Sequence, residues 1–494
     1  MLPLCDRPGR SALLLSALVV VGAFAVFPFG CDAEYVVFDP VWYAVGAERD
    51  LAATTVKAHH PLFHLLVAGI AAPLDLAGVP RPGHIGTRLL SGLGAGMILL
   101  LLAGLAGRER WRVGAGLGLL LLTGRAWFLE AFTGENVLPA IAAGMAALFA
   151  ALDERRSLVT VGLWTFVALL FRQDNVLLVP AIVLALHWRA APPTLARLAS
   201  WLAVVGGATA MAYVGIWAGL VWVGPDVGLL DWIWGIAKDD YSIAQRPVLV
   251  HGAAFGVAVA GKQWAASAPW SHVGVGAGAL CLVLAFGALF RGDAGWGRMA
   301  TLAAITAALR FAFYSWFEPT NAEWTLFTFA FAAAIAARAA NGRPRTLPIV
   351  RRAAALGLTL AAVFTWGAHG SDTLSFREHR YEPAGRWVAE QTRKGWRHFG
   401  YQNRGVLAVE MQGVPCNPLH TDFDRARQHL MDVVTTAPAT PLLAVVDLAI
   451  QTGMPYDMRE LERRWRGREP SDPPHARILW SKGGVYVVGF LVPR

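Results

Sequence analysis

Apolar runs of roughly the length needed to cross a bilayer, about 17–25 residues, recur along the first three quarters of this 494-residue chain. They lie near 11–29, 86–107, 113–129, 134–152, 157–171, 174–188, 199–223, 272–290, 298–316, 323–340 and 350–369. A backbone in hydrocarbon must satisfy its own hydrogen bonds, so such runs are restricted to helices. The expected fold class is therefore an all-α polytopic membrane protein of about eleven transmembrane helices. Charge is correspondingly scarce at 16%, against about a quarter in soluble domains, because a charge at mid-membrane costs about 3 kcal/mol or more. The 20 Trp suit headgroup boundaries, where one edge of the indole stays wet.

The net charge of +9 does not point to nucleic acid. The excess is Arg in short loops between apolar runs, which is the positive-inside pattern. With the N-terminus inside, inner loops carry Arg108, Arg110, Arg112, Arg155, Arg156, Arg189, Arg197, Arg291, Arg298, Arg338, Arg343, Arg345, Arg351 and Arg352. Outer loops carry Asp32, Glu34, Asp39, Glu48, Asp50, Glu130, Glu135, Asp174, Asp226, Asp231, Asp239, Asp240, Glu318 and Glu323. The separation holds only if the run Pro61 to Ala77, which contains His64, Pro73 and Asp75, does not cross. It is expected to lie at the outer surface or dip in. Residues 30–85 and 224–271 then form two long outer loops, a length typical of functional loops.

The N-terminus has Arg7 and Arg10 ahead of an apolar run with no clean cleavage site, which predicts an uncleaved first helix. Cys5, Cys31, Cys281 and Cys416 lack metal-ligand spacing. Cys31 and Cys416 both fall on the outer side, either paired or as free thiols. Beyond residue 370 charge rises and short β-like runs appear at Val406–Val409, Leu442–Val446 and Arg477–Leu491, the last broken by Ser481-Lys482-Gly483-Gly484. Amphipathic helices fit 383–397 and 422–435. The domains are expected at 1–370, transmembrane, and 371–494, a small α/β extracytoplasmic domain. No internal repeat is visible.

The first outer loop holds the densest set of reactive side chains. Asp39 and Tyr43 are four apart and share a helix face. Glu48 and Asp50 follow, then Lys57, His59 and His60. A carboxylate near cations suits proton removal from a hydroxyl and the holding of a phosphate leaving group. Asp39 before Pro40 is equally an N-cap followed by Pro at N1, and the two roles are compatible. A second acid, Glu135, opens a span, where the helix dipole alone favours it. Phe171 to Asn175 reads FRQDN, and Arg172 and Asp174 are placed to pair or to snorkel. Arg310 sits within a span and needs an anionic partner: a carboxylate such as Glu318 or Glu135, or a bound phosphate.

In this order the motifs resemble the GT-C superfamily of membrane glycosyltransferases, which includes protein O-mannosyltransferases and lipid A aminoarabinose transferases. The resemblance covers about 11–320. It is carried by Asp39-Pro40-Val41-Trp42-Tyr43 in place of an acidic Asp-x-x-x-Tyr motif, and by His60-Pro61-Leu62-Phe63 in place of a Lys/His-Pro-Pro-Leu-Tyr segment. Arg88-Leu89-Leu90 running to Arg108-Glu109-Arg110, then Glu135, continue it. Two departures stand out: Pro40 occupies the place of a common second acid, and His60 that of a common Lys.

The resemblance implies transfer of a sugar from a polyprenyl-phosphate donor to an extracytoplasmic glycan, lipid or protein. Asp39 and Glu135 are then the catalytic candidates, with a divalent metal between them as a possible cofactor. Tyr43, Lys57, His59, His60, Arg172, Asp174, Arg310 and Glu318 are the substrate-binding candidates. Membrane lipids are the surrounding partners, and the expected location is a bacterial inner membrane. The alternatives from residues alone are a flippase of lipid-linked sugars and a non-catalytic envelope assembly protein.

Overall fold

The computed structural model describes residues 13–18, 43–44, 46–47, 58, 60–79, 82–107, 111–121, 131, 134, 136–223, 228–238, 294–317, 326–327, 330–331, 333–335, 337–338, 382–400, 417–418, 442–447, 476–482 and 485–490. Two compact units result. One comprises 1–28 with 46–374, the other 29–45 with 375–494.

The first unit is helical. Its elements are α1 (Pro61–Leu76), α2 (Pro82–Ala106), α3 (Trp111–Leu121), α4 (Val137–Leu152), α5 (Leu158–Phe171), a 3₁₀ turn (Gln173–Leu178), α6 (Val179–His187), α7 (Leu195–Val223), α8 (Leu229–Lys238) and α9 (Ala294–Phe317). Further helical residues lie at 13–18 and within 326–338. The expected spans near 86–107, 157–171, 174–188, 199–223 and 298–316 fall on these helices, as do the described parts of those near 113–129 and 134–152. Those at 272–290 and 350–369 lie outside the described residues. By length and composition α2 and most of α7 (Leu195–Trp222) are able to cross a membrane, while α1, α4 and α5 are shorter apolar helices. At 16 residues α1 extends about 24 Å, less than a hydrocarbon core of about 30 Å.

The centre of the unit is α4. Residues Val137 to Ala151 are all buried, as expected of a helix that is apolar on every side. It packs against α2, α5 and α6. Small residues permit the approach. A Cβ on Gly94 of α2 would run into the backbone of Pro139, and one on Gly114 of α3 into the Leu102 carbonyl. This is close packing between backbones, which stabilises helix pairs in lipid, where apolar burial contributes little. Opposite behaviour marks α7, whose Val204, Met211 and Trp222 are exposed, a surface suited to apolar solvent.

Turns on the charged end are held by local bonds. Asp153 accepts from the backbone N of Arg155 at 3.1 Å and from its Nε at 3.1 Å. Burial works to raise the Asp153 pKa. The hydrogen bonds of Arg155, with the charges of Arg155 and Arg156, outweigh it and hold the carboxyl below its usual range. Ser157 then caps α5, its Oγ accepting from Thr160 N at 3.1 Å. Arg189 closes the end by donating to the carbonyls of Ala151, Arg156 and Ala150, each at 2.8 Å.

The second unit contains α10 (Glu382–Arg393) and a five-stranded sheet in the order β2-β1-β3-β5-β4. The strands are β1 (Arg397–Gly400), β2 (Asn417–Pro418), β3 (Leu442–Asp447), β4 (Ala476–Lys482) and β5 (Val485–Phe490). Pairs β1–β2 and β1–β3 are parallel, β3–β5 and β4–β5 antiparallel. The helix expected over 383–397 ends four residues early. Gly395, at φ 98°, and the bonds from Gly395 N to Thr392 O and Trp396 N to Gln391 O turn the chain out of the helix. The expected strand at 406–409 and helix at 422–435 lie outside the described residues.

Candidate active site

The corner between α5 and α6 concentrates the polar chemistry of the helical unit. Helix α5 stops because Arg172 is extended, with φ −152° and ψ 129°. The chain re-enters as the 3₁₀ turn, with Asn175 N bonded to Arg172 O at 3.1 Å, and Pro180 in the first turn of α6 suits a fresh helix start. This break places Arg172, Asp174 and Asn175 side by side against α9.

Asp174 is shared between two guanidiniums. Its Oδ1 accepts from Arg172 Nε at 3.2 Å and its Oδ2 from Arg310 Nη1 at 2.8 Å. Arg310 is wholly buried. Its Nη2 donates to Asn175 Oδ1 at 2.6 Å, and its guanidinium lies 3.4 Å from the centre of the Phe327 ring, a cation–π contact. Asn175 in turn donates to the Ala168 carbonyl at 2.7 Å and the Ala140 carbonyl at 3.4 Å. Arg172 Nη1 donates to Asn136 Oδ1 at 3.4 Å. Among the described residues, two cations thus share one carboxylate. One fully buried hydroxyl, Thr306 Oγ1, lies one helical turn before Arg310 and makes no protein hydrogen bond.

From the sequence, Arg310 is expected to meet a carboxylate such as Glu318 or Glu135, or a bound phosphate. Among the described residues it meets the carboxylate of Asp174, 136 positions away; Glu318 and Glu135 lie outside the described residues. Ala58 and Trp232, one from each stretch expected as a long loop, share one apolar cluster with Leu170 and Tyr213. The Tyr213 hydroxyl donates to the Leu169 carbonyl at 3.2 Å, and its ring lies 5.8 Å from that of Trp232.

Beside Ala58, His60 is buried at the N-cap position of α1. One turn on, His64 is also buried, with its ring centre 6.3 Å from that of His60. Arg88, Thr87 and Ser91 of α2 are buried too. Tyr43 is buried and helical. Asp39, Lys57, His59, Glu135 and Glu318 lie outside the described residues. Among the described residues no three His, Cys, Asp or Glu side chains gather to hold a metal ion.

Residues that the sequence did not single out are Asn136 and Asn175. Their signal was a neutral amide inside an apolar run, which is weak because Asn is also a common cap. The turn before Asn136 is tightly specified. Gly134 has φ 103°, and a Cβ there would come within 2.6 Å of Thr87 Oγ1. Any residue but glycine would meet both backbone strain and a collision.

No family model and no curated protein matches the sequence. Solved structures do. ArnT from Cupriavidus metallidurans bound to undecaprenyl phosphate superposes with a TM-score of 0.61 over 97% of this chain and 98% of that one, at 13% identity. The same protein in the apo state gives 0.57 over 98% of each chain, also at 13% identity. At that identity the likeness speaks to architecture alone: this chain has the fold of ArnT.

Proposed function

We propose that this protein is a membrane glycosyltransferase that moves a sugar from a polyprenyl-phosphate donor to an extracytoplasmic acceptor. The observation that carries the reading is the near full-length likeness to a structure bound to undecaprenyl phosphate. The Arg172–Asp174–Arg310 cluster supports it. In the proposed reaction an acceptor hydroxyl attacks carbon-one of the sugar through an oxocarbenium-like state. Asp39 takes the hydroxyl proton or orients the acceptor. The bond from carbon-one to the phosphate oxygen breaks, and the electron pair leaves with the polyprenyl phosphate.

Lys57, His60, Arg172 and Arg310 stabilise that departing charge, and His59 is a further substrate contact. Glu135 positions the acceptor, or holds a divalent cation jointly with Asp39. Tyr43, on the face of Asp39, and Glu318 complete the substrate contacts. A flippase would need charges in several spans and a repeated architecture, and the sequence has no repeat.

The direct test is thermal unfolding of the detergent-purified full chain with undecaprenyl phosphate and with uncharged undecaprenol. Undecaprenyl phosphate is expected to raise the midpoint and undecaprenol to leave it unmoved. Equal stabilisation by both would mean that the phosphate is not recognised, and the transferase reading would fail.

The same reading orients the chain, with the N-terminus cytoplasmic and residues 371–494 extracytoplasmic. A cysteine introduced at position 33, 80, 235 or 480 should react with an impermeant thiol reagent added from outside. One at 110, 155 or 345 should not. Outside labelling at 110 would mean that α1 crosses the membrane, and the orientation would reverse.

A further inference from the structure

We infer that Thr306 Oγ1 and Arg310 Nε, one turn apart on α9, form a built site for a single buried water molecule. The inference rests on the packing of α9 and not on the transferase reading.

Two of the three nitrogens of the Arg310 guanidinium are met by protein. Nη1 donates to Asp174 Oδ2 at 2.8 Å and Nη2 to Asn175 Oδ1 at 2.6 Å. The third, Nε, is fully buried and has no hydrogen-bond partner among the described residues. An arginine keeps its proton in a protein, so this N–H is a permanent donor in a place where a lost hydrogen bond is costly.

Thr306 is in the same position. It is wholly buried, and its hydroxyl has no partner among the described residues. A helical threonine can turn its hydroxyl back to the carbonyl four residues earlier, and three others in this chain do so. Thr165 bonds to Val161 O and Thr209 to Val205 O, each at 2.8 Å, and Thr392 to Val388 O at 2.9 Å. The Thr306 hydroxyl forgoes that bond although α9 is helical throughout this stretch.

The two orphaned groups belong together. Residues four apart share a helix face, and a helical arginine side chain runs back over the preceding turn, which directs Nε toward the threonine. One group is an obligate donor and the other a hydroxyl that donates or accepts. A water oxygen accepts from Nε–H, and the same water exchanges a hydrogen bond with Oγ1. Buried waters satisfy such groups, needing about two to four polar partners. The charge of Arg310 is already met by Asp174, so a neutral ligand suffices. With the water in place every nitrogen of the guanidinium has a partner.

The test begins with a density map of the detergent-purified full chain at a resolution that shows ordered water. A peak is expected within about 3.2 Å of both Thr306 Oγ1 and Arg310 Nε. Ordered waters elsewhere in the helical unit with none at this place would overturn the inference. With undecaprenyl phosphate added the peak is expected to stay. Its replacement by a phosphate oxygen would assign the two donors to the lipid and overturn the water, whereas failure of the lipid to bind anywhere would count against the transferase reading and leave the water standing.

Thermal unfolding gives a second measurement. Thr306→Val keeps the shape and deletes the hydroxyl, and Thr165→Val does the same where the hydroxyl only back-bonds to its own helix. Thr306→Val is expected to unfold several degrees below Thr165→Val, because it takes from the water one of its two anchors and weakens the hold on Arg310 Nε. A midpoint equal to or above that of Thr165→Val would mean that the Thr306 hydroxyl holds nothing, since deleting a buried group without a partner removes a penalty, and the site would fall.

Discussion

Asp39→Asn is expected to reach the membrane at a near-normal level and to transfer sugar about two to four orders of magnitude more slowly, the range lost with a general base. The two properties separate because Asn and Asp are equivalent N-caps. Asp39 precedes Pro40, and a proline in the first helical position needs a cap before it and no N–H of its own. An amide at an N-cap makes the same hydrogen bond as a carboxylate. What it loses is the negative charge and the capacity to accept the acceptor's proton. The measurement is single-turnover transfer from a radiolabelled polyprenyl-phosphate sugar, with expression followed in parallel. Wild-type turnover in this variant would leave Asp39 as a cap and return the search for the base to Glu135.

Arg310→Gln is expected to lower stability by about 3–5 kcal/mol, the cost of removing one partner from a buried ion pair. Three interactions go at once. Asp174 Oδ2 loses its 2.8 Å bond, Asn175 Oδ1 its 2.6 Å bond, and Phe327 the guanidinium stacked on it. Asp174 keeps Arg172 at 3.2 Å, which places the loss toward the lower end of that range. The substitution also removes one positive charge, so undecaprenyl phosphate should bind the variant more weakly than the wild type. Thermal unfolding in detergent, with and without that lipid, measures both effects. A variant that unfolds at or above the wild-type temperature would show that the cation is not stabilised by Asp174 in the resting protein.

The comparison of sequence with structure divides along the distance between interacting residues. FRQDN was legible as a place where Arg172 and Asp174 meet, because they are two apart and one chain break brings them together. The strands at 442–447 and 476–490 were legible for a similar reason, since alternation and a Gly-Gly turn are local. That helix α10 stops at Arg393 was not, because a periodic pattern continues past a point where only the positive φ of Gly395 reveals the exit. Asn136 was not legible at all: no sequence pattern singled it out, and only the packed structure brings its amide oxygen to Arg172.

What the sequence determined by itself was the solvent and the class. Runs of apolar residues with arginines between them predict helices that cross or line a bilayer, since in hydrocarbon each run must satisfy its own backbone within itself. It determined, too, that Arg310 must find an anion, because an unpaired guanidinium is too costly in such a place. Which anion it finds was decided by tertiary structure alone. Asp174 lies 136 positions away, and it reaches Arg310 only because α5 breaks at Arg172 and the 3₁₀ turn packs on α9. The need for a partner is a property of one side chain and its solvent. The choice of partner depends on how helices distant in the chain pack together, and no local pattern in the sequence records that.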